Sequence, residues 1–350
     1  MNVLITSTAR RIDFVGFFQE AYRKLDINGK VIATDPEYNA PSLQQGDISY
    51  VVPAHTDPEY ANVILEICKE HEVKGILPLN DLEVAQLIEH KDKFMENGIS
   101  VFVPSADVNE KIRDKGKYEE LLGGFGVKAP KTFSNVKDTK KAVESGELDL
   151  PVILKPRNGS ASVGIEFVYY LEDLEMAYRR VVEEIKAEPL TEATDKNPEE
   201  NVIIQQVVEG DKFSLDIFND LNGHYVTSFV RKQLAMRGGD VDRCIIYDEP
   251  VLHDIARKIG ENLGHVGYIN TDVYYDGKDY YVIDINPRVG GGYAFSHHAG
   301  ADLPSIILAL LSGQDIKKEW AEEEPGLEFA RHDVVTQINK NRGKRLYSHS

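Results

Sequence analysis

The sequence predicts an α/β fold at the start of the chain and an α+β fold after it. Over about the first hundred residues, short apolar runs alternate with amphipathic stretches, the pattern of a doubly wound parallel sheet. Further along, alternating apolar and aromatic residues flank an Asp-Gly pair, which predicts a β-hairpin. At 350 residues, the chain is long enough for about two or three domains.

The composition excludes several classes of protein. With 42% hydrophobic and 28% charged residues the chain is an ordinary globular sequence, and its net charge of −18 argues against nucleic-acid and anionic-membrane partners. Cys68 and Cys244 are the only cysteines, so we expect no disulfide framework and a reducing, cytoplasmic location. No apolar run is long enough to cross a membrane, and no signal segment is recognisable.

The N-terminal elements follow from the apolar periodicity. We expect strands at residues 2–5, 30–34, 50–52, 75–78 and 100–103 and helices at residues 12–25, 57–70 and 81–97. Ligands bind at the carboxyl ends of such strands, and the turn after the first strand has no glycine, which excludes a dinucleotide fingerprint. Arg10 and Arg11 in that turn either hold an anionic substrate group or are surface arginines at a helix start.

The middle of the chain contains a candidate phosphate loop. We expect helices at residues 107–122 and 171–187, strands at 150–155, 165–170, 201–208 and 213–219, and an exposed loop at 188–200. The loop at residues 156–164, PRNGSASVG, is rich in small residues whose backbone N–H groups can surround phosphates, and Lys155 before it adds a positive charge. The alternatives are an ordinary hairpin turn and a solubilising edge lysine.

The last third of the chain contains a cluster of oxygen ligands. We expect a strand at residues 225–236, a loop at 237–240, helices at 249–263 and 301–312, a hairpin with strands at 272–275 and 280–285, and a strand at 328–338. Pairing in the hairpin would bring Asp272 close to Asp284, and Asn286 shares the face of Asp284. Two carboxylates and an amide suit Mg²⁺, and Arg288 adds a cation for phosphate; the alternative is a solvated hairpin end.

Taken together, Lys155, the NGSASVG loop and the motif IDINPR at residues 283–288 resemble the ATP-grasp superfamily. The resemblance is to its carbamoyl-phosphate-synthase-like, carboxylate–amine ligase branch, and it extends over nearly the whole chain. It implies an ATP-grasp fold preceded by a Rossmann-like (pre-ATP-grasp) domain. The implied divisions are residues 1–106 for that domain, 107–130 for a helical connection, 131–207 for a lid subdomain, 208–338 for a C-terminal subdomain and 339–350 for a loose tail.

The resemblance also implies roles for individual residues. The implied ATP contacts are Lys115, Lys155, Gly159, Ser160, Ala161, Ser162, Gly164, Gln206, Val207, Val208 and Asp211. The implied metal ligands are Asp272, Asp284 and Asn286, the implied catalytic residues are Lys155, Arg237 and Arg288, and the substrate candidates are Arg10, Arg11 and Arg231. The family usually has acidic residues where Gln206 and Lys212 stand, so Asp211 or Glu209 would contact the ribose.

The activity implied by the resemblance is an ATP- and Mg²⁺-dependent ligation, with Mn²⁺ as an alternative ion. A small-molecule carboxylate would be phosphorylated and the acyl-phosphate captured by an amine, with release of ADP and phosphate. A homodimer is expected by resemblance. The alternatives are an inactive nucleotide-binding regulatory module and an enzyme that forms carboxyphosphate. His297 and His298 are either substrate contacts or packed side chains.

Overall fold

The computed structural model describes residues 1–158, 164–187 and 197–345, and these residues form two compact units. Unit 1 consists of Met1–Ala106, Leu215–Asn270 and Pro287–Ser350. Unit 2 consists of Asp107–Ser214 and Thr271–Asn286. The chain therefore leaves unit 1 and returns to it twice. The implied ATP contacts Gly159, Ser160, Ala161 and Ser162 lie outside the described residues.

Unit 1 begins with the expected parallel sheet. Its strands are β1 (Asn2–Thr6), β2 (Val31–Asp35), β3 (Ile48–Val51), β4 (Val73–Pro78) and β5 (Ser100–Val101). They alternate with the helices α1 (Ile12–Lys24), α2 (Tyr60–Glu70), α3 (Asp81–Glu89) and α4 (Lys91–Glu96). A short C-terminal strand, β16 (Lys344–Arg345), completes the sheet. The strand order is β16-β3-β2-β1-β4-β5, and every pair in it is parallel. The predicted doubly wound sheet is confirmed.

Apolar residues on the two faces of this sheet belong to two different cores. Val3 and Ile5 of β1 pack with Phe14 and Phe18 of α1, and Leu4 between them faces the core that contains α2. This alternation buries both faces of a parallel strand, as its continuous apolar sequence requires. The apolar helix α11 (Leu303–Ser312) joins the core of α1.

A second sheet has the strand order β14-β13-β10-β11-β12-β15. Its strands are β10 (Asp211–Asn219), β11 (Tyr225–Arg237), β12 (Asp240–Ile246), β13 (Gly267–Tyr275), β14 (Tyr280–Asn286) and β15 (Glu328–Ala330). Two helices of unit 1 interrupt this series of strands: α9 (Pro250–Leu263) lies between β12 and β13 in the chain, and α10 (Tyr293–His298) follows β14. Strands β10 and β13 each begin in one unit and end in the other.

Unit 2 contains a four-stranded antiparallel sheet with the order β6-β9-β7-β8. The strands are β6 (Thr132–Phe133), β7 (Val152–Pro156), β8 (Glu166–Val168) and β9 (Val202–Gln206). The helices are α5 (Ala106–Arg113), α6 (Tyr118–Gly123), α7 (Val136–Glu144) and α8 (Leu174–Ala187). The apolar faces of α7 and α8 close a core against this sheet. Unit 2 also contains the expected hairpin. It consists of β13 from Asp272 to Tyr275 and the whole of β14.

Several elements differ from those expected from the sequence. Strand β12 was not predicted, because residues 237–240 were assigned to a loop and the polar pair Asp242 and Arg243 interrupts the apolar alternation after it. The predicted helix at 81–97 breaks at His90, whose ring Nδ1 contacts the Gln86 carbonyl oxygen at 3.0 Å. The strand predicted at 328–338 ends at Ala330, and Lys344 and Arg345 of the predicted tail pair with β3.

Candidate functional site

The carboxylates Asp272 and Asp284 lie on adjacent strands of unit 2. Asp272 is on β13 and Asp284 is on β14, close to its end at Asn286. The turn between the strands is held by the Asp276 carboxylate, whose Oδ1 accepts hydrogen bonds from two backbone N–H groups of the turn at 2.7 and 2.8 Å. Gly277 in that turn has a φ of +95°, which explains the glycine there. The predicted hairpin therefore brings the two acidic strands together.

Each carboxylate pairs with a lysine from elsewhere in unit 2. Lys115 Nζ lies 3.1 Å from Asp284 Oδ1, and Lys212 Nζ lies 2.8 Å from Asp272 Oδ2. Burial lowers the pKa of Lys212, but its pairing with Asp272 outweighs burial and raises that pKa above the ordinary value. Lys212 was considered in the sequence only as a departure from the family pattern, and the structure makes it a member of the acidic cluster.

Lys155, the third lysine, shares the electrostatic environment of both carboxylates. It lies on β7, one residue before the strand ends at Pro156. Burial, and after it the positive charge of Lys115, lower the pKa of Lys155 to about 8, although Asp284 and Asp272 act in the opposite direction. Three ammonium groups and two carboxylates therefore influence one another within unit 2.

The acidic cluster has the donor chemistry of a site for a hard divalent ion. Asp284 Oδ2 lies 3.5 Å from Asn286 Nδ2, and Asp272 Oδ1 lies 3.4 Å from Ser214 Oγ. Within residues 1–158, 164–187 and 197–345, no group of three or more His, Cys, Asp or Glu side chains is placed to hold a metal ion. Two carboxylates and an amide fit Mg²⁺, which takes its remaining ligands from water and substrate phosphates.

The predicted hinge residues 206–208 lie at the end of β9 and directly after it. Gln206 is the last residue of that strand, and its backbone N–H donates to the Lys131 carbonyl oxygen at 2.9 Å. The Gln206 side-chain oxygen accepts a hydrogen bond from the Lys131 N–H at 3.3 Å. Val207 and Val208 are half-buried, and Asp211, at the start of β10, is exposed.

In unit 1, three arginines bind consecutive backbone carbonyl groups after the IDINPR motif. Arg288 Nη1 lies 3.5 Å from the Val289 oxygen, Arg11 Nη1 donates to the Gly290 oxygen at 3.1 Å, and Arg331 Nη2 donates to the Gly291 oxygen at 2.6 Å. Arg288 Nε also contacts Asp81 Oδ2 at 3.2 Å. Burial lowers the pKa of Arg11, and the nearby charges of Arg288 and Arg331 lower it too.

The turn that carries Arg10 and Arg11 has an unusual backbone. Ser7 and Ala9 have φ values of +48° and +42°, a region that residues with a side chain rarely adopt. The turn is tied down by the Ala9 N–H, which donates to Asp35 Oδ2 at 2.7 Å, and by the Ser7 hydroxyl, which donates to a Glu83 carboxylate oxygen at 2.7 Å. Arg10 is exposed, and Arg11 is half-buried.

The structure does not support Arg231 as a direct substrate contact. Its side chain is 1% exposed, and Nη2 lies 2.5 Å from Oδ2 of Asp216, which is 0% exposed. The Asp216 carboxylate also accepts a hydrogen bond from Asn270 at 2.6 Å. Burial opposes the charge of Arg231, but Asp216 outweighs burial and raises its pKa. Arg231 thus serves a buried ion pair, because β10 supplies a partner that the sequence did not reveal.

Arg237 has a different environment at the far end of β11. It is half-exposed, with Nε 2.8 Å from Asp242 Oδ1 and Nη1 2.7 Å from Asp333 Oδ2.

His297 stacks on Phe17 with ring centroids 3.6 Å apart, and burial lowers its pKa, in agreement with a packed side chain. His298 also lies against Phe17, edge-on at 5.5 Å.

The three glycines after Arg288 lie where a side chain has no room. A Cβ atom at Gly291 would lie 1.8 Å from Asp240 Oδ1, and one at Gly290 would lie 2.7 Å from Asn270 Nδ2. Close approach of polar side chains to this backbone therefore explains the glycine run.

Among the described residues, no helix is long and apolar enough to cross a membrane.

Comparisons with known proteins match this architecture. Residues 3–102 match the family model for the PylC-like N-terminal domain, and residues 198–335 match the model for ATP-grasp in the biosynthetic pathway with Ter operon. The C-terminal section of the carbamoyl phosphate synthase large chain from Methanopyrus kandleri is 26% identical over 248 residues, covering 67% of this chain and 43% of the relative. The chain thus spans less than half the length of the curated relatives it matches.

Solved structures show the same fold at low sequence identity. A biotin carboxylase from Campylobacter jejuni has a TM-score of 0.70 at 18% identity and covers 92% of this chain and 73% of its own. The biotin carboxylase domain of the 2-oxoglutarate carboxylase from Hydrogenobacter thermophilus has a TM-score of 0.69 at 17% identity, covering 93% and 72%.

The family-model matches at residues 3–102 and 198–335, together with the order of the two sheets, support the assignment to the ATP-grasp superfamily. Within that superfamily, the similarity to carbamoyl phosphate synthase large chains supports the carbamoyl-phosphate-synthase-like branch. The predicted fold and family are therefore confirmed. The homologues in this superfamily are ADP-forming ligases and carboxylases.

Proposed function

We propose that the chain is an ATP-dependent ligase that joins a small-molecule carboxylate to an amine through an acyl-phosphate and releases ADP and phosphate. The observation that carries the proposal is the cluster of Lys115, Lys155, Lys212, Asp272 and Asp284 within unit 2. Lysines near a cation-binding pair of carboxylates are what a nucleotide triphosphate with its metal requires.

The proposed nucleotide site uses the residues of unit 2 in separate roles. Lys155 and Lys115 hold phosphate oxygens, and the half-buried segment from Gln206 to Val208 borders the base. Asp272, Asp284 and Asn286 hold Mg²⁺, or Mn²⁺ in its place, and the ion when bound neutralises charge on the phosphates. The family includes a carboxylase domain whose structure contains MgADP, which supports this assignment.

The protein contributes mainly position and charge to the proposed reaction. A substrate carboxylate oxygen attacks the γ-phosphorus, the bond to the β–γ bridging oxygen breaks, and ADP leaves. The ammonium groups of Lys155 and Lys115 offset the charge that develops on the transferred oxygens, without transferring a covalent group themselves. An amine then displaces phosphate from the acyl carbon and gives up a proton, which leaves an amide.

Arginines of unit 1 are proposed to serve the carboxylate substrate. Arg288 is the arginine that the family resemblance assigns to the transferred phosphoryl group, and Arg11 is proposed to hold an anionic group of the substrate. Support for Arg11 comes from its half-buried side chain beside Arg288 and Arg331, because an added anion would offset the repulsion among these three cations. The strained turn that presents Arg11 adds to this support, since strain is often retained at functional sites.

A second candidate is an enzyme that forms carboxyphosphate from bicarbonate. It is favoured by one observation, the similarity to carboxylases, including a domain whose structure contains bicarbonate with MgADP. Both reactions begin with phosphoryl transfer to a carboxylate oxygen, so the cluster in unit 2 serves either one.

We further propose a cytoplasmic location, which the two free and buried cysteines, Cys68 and Cys244, support.

The test is release of ADP from MgATP over a panel of amino acids, dicarboxylates and bicarbonate, each with and without a set of amines. Amine-dependent release with an amide product supports the ligase, and bicarbonate-dependent release supports the second candidate. The Lys155→Ala variant is the inactive control. Binding of MgADP without release under any condition would instead indicate a regulatory module, and absence of binding would contradict the nucleotide site itself.

A further inference from the structure

Arg157 is a side chain of unit 2 to which the proposed function assigns no role. It follows Lys155 by two residues, beyond the end of β7. Its guanidinium group contacts Asp114 Oδ1 through Nη1 at 3.0 Å, Ser134 Oγ through Nη2 at 2.9 Å and the Glu200 carbonyl oxygen through Nε at 3.2 Å. The Arg157 side chain is 15% exposed and that of Asp114 is 5% exposed. These contacts therefore form a partly buried, charge-assisted junction.

The junction surrounds the segment that carries Lys115. Asp114 immediately precedes Lys115 and caps the short turn after it, since its Oδ1 accepts the Gly116 N–H at 3.1 Å. The Lys115 N–H donates to the carbonyl oxygen of Arg157 at 3.2 Å. A Cβ atom at Gly116 would lie 2.5 Å from Arg157 Nη1, so the guanidinium packs directly on this backbone. Arg157 thus contacts the residues on both sides of Lys115.

This arrangement holds two like charges close together. Lys115 is 12% exposed and reaches Asp284, and its charge acts on Lys155 two residues before Arg157. Two ammonium groups repel each other, so the backbone segments that carry them need a fixed connection. In the described part of unit 2, Arg157 is bonded to the Lys115 segment through both its backbone and its side chain.

We propose that Arg157 is a positioning residue of the nucleotide site, which fixes Lys115 relative to Lys155 through its bonds to Asp114 and to the Lys115 backbone. It touches no nucleotide itself. The inference rests on the proposed nucleotide-binding function of Lys115 and Lys155. It predicts that Arg157 contributes to nucleotide affinity only through Lys115, which separates it from a residue that merely stabilises the fold.

The test is a double-mutant cycle on the dissociation constant of MgADP, measured by calorimetry on the full chain. We expect Arg157→Gln to weaken binding about tenfold, and the Arg157→Gln/Lys115→Ala variant to bind no more than about twofold more weakly than Lys115→Ala alone. In the control cycle with Lys212→Ala, the effects of the two substitutions should multiply, because Lys212 is not bonded to the junction. Arg157→Lys should restore part of the affinity.

A second variant addresses folding. Arg157→Gln removes the charged partner of Asp114 Oδ1 and leaves this 5% exposed carboxylate with one longer ion pair, from Oδ2 to Lys117 Nζ at 3.5 Å. The variant Asp114→Asn/Arg157→Gln therefore removes both charges of the junction and keeps an acceptor for the Gly116 N–H. Unfolding midpoints show which variants are folded. If Arg157→Gln is not folded, the cycle with Lys115→Ala is repeated with Asp114→Asn/Arg157→Gln in its place. Effects of Arg157 and Lys115 that multiply, or an unchanged affinity in Arg157→Gln, would overturn the inference. Failure of the unaltered chain to bind MgADP would instead overturn the proposed function.

Discussion

Neutralising Asp284 tests the proposed cation site most directly. Asp284→Asn keeps the size of the side chain but removes one of two carboxylates and the partner of Lys115. At 3.1 Å and an effective dielectric constant of about 20, that ion pair has a gross attraction of about 5 kcal/mol. Both side chains are partly exposed, at 12% and 27%, and solvent screening and desolvation reduce the net contribution to about 1–2 kcal/mol.

The effect on cation-dependent binding should exceed this effect on stability. Loss of a direct ligand should weaken Mg²⁺ binding at least about a hundredfold, since loss of a residue that only supports a ligand costs about ten- to a hundredfold. The assay is calorimetric titration of ADP with saturating Mg²⁺ and again with EDTA. The unaltered chain should bind ADP more tightly with Mg²⁺, and Asp284→Asn should lose most of this difference.

The hairpin provides a matched control in Asp279→Asn. Asp279 is 26% exposed and pairs with Lys128 at 2.7 Å. The substitution therefore removes the same charge from a carboxylate whose exposure matches the 27% of Asp284, although Lys128 is 57% exposed and Lys115 only 12%. We expect the control to keep the full difference between Mg²⁺ and EDTA. Equal Mg²⁺ dependence in Asp284→Asn, Asp279→Asn and the unaltered chain would refute the assignment of Asp284 as a metal ligand.

Three further predictions concern pH, the buried ion pair and the glycine run. The pKa of Lys155 is lowered to about 8, so ADP affinity should be full well below pH 8 and should fall as the pH rises through that value. Titrations between pH 6 and about 9.5 should show this inflection in the unaltered chain and no inflection in Lys155→Arg, whose guanidinium stays charged. Arg231→Met should lower the free energy of unfolding, measured in urea, by about 3–5 kcal/mol, because Asp216 stays buried without its partner. Adding Asp216→Asn should recover part of that loss, and equal stability of the single and double variants would contradict the ion pair. Gly291→Ala should lower the free energy of unfolding by about 1–3 kcal/mol, whereas Gly123→Ala, where a Cβ meets nothing within 4 Å, should leave it nearly unchanged. Similar unfolding midpoints of the two variants would show that the loop at Gly291 moves to make room for the added methyl group.

The acidic hairpin could be predicted from sequence because its signals are local. Alternation of apolar residues fixes which side chains share a face of a strand, and Asp276-Gly277 marks the turn. Asp272 and Asp284 could therefore be placed on neighbouring strands without the structure. The same local reasoning predicted the parallel sheet of unit 1, whose strands are short apolar runs.

The partners of these side chains could not be predicted, because they come from distant segments. Lys212 meets Asp272 across 60 residues of sequence and Lys115 meets Asp284 across 169, and no local pattern encodes either pair. Arg231 was a substrate candidate by the family resemblance, but Asp216 on the neighbouring strand makes it part of a buried ion pair. Residue type predicts the chemistry available at a position, whereas burial and pairing decide whether that chemistry reaches a ligand.

The lysine–aspartate pairs explain how a chain with a net charge of −18 can hold cations for phosphate. A half-buried ammonium group is costly without a counterion, and Asp272 and Asp284 supply one for Lys212 and Lys115. On the proposed function, phosphates and a divalent ion exchange these partners: the lysines turn to phosphate and the carboxylates to the metal. Because the carboxylates compete with phosphate for the lysines until a metal engages them, metal and nucleotide should each strengthen the binding of the other. On the proposed function, the expected Mg²⁺ dependence of ADP affinity would therefore arise from the ion pairs in the unliganded site as well as from the charge of the ligand.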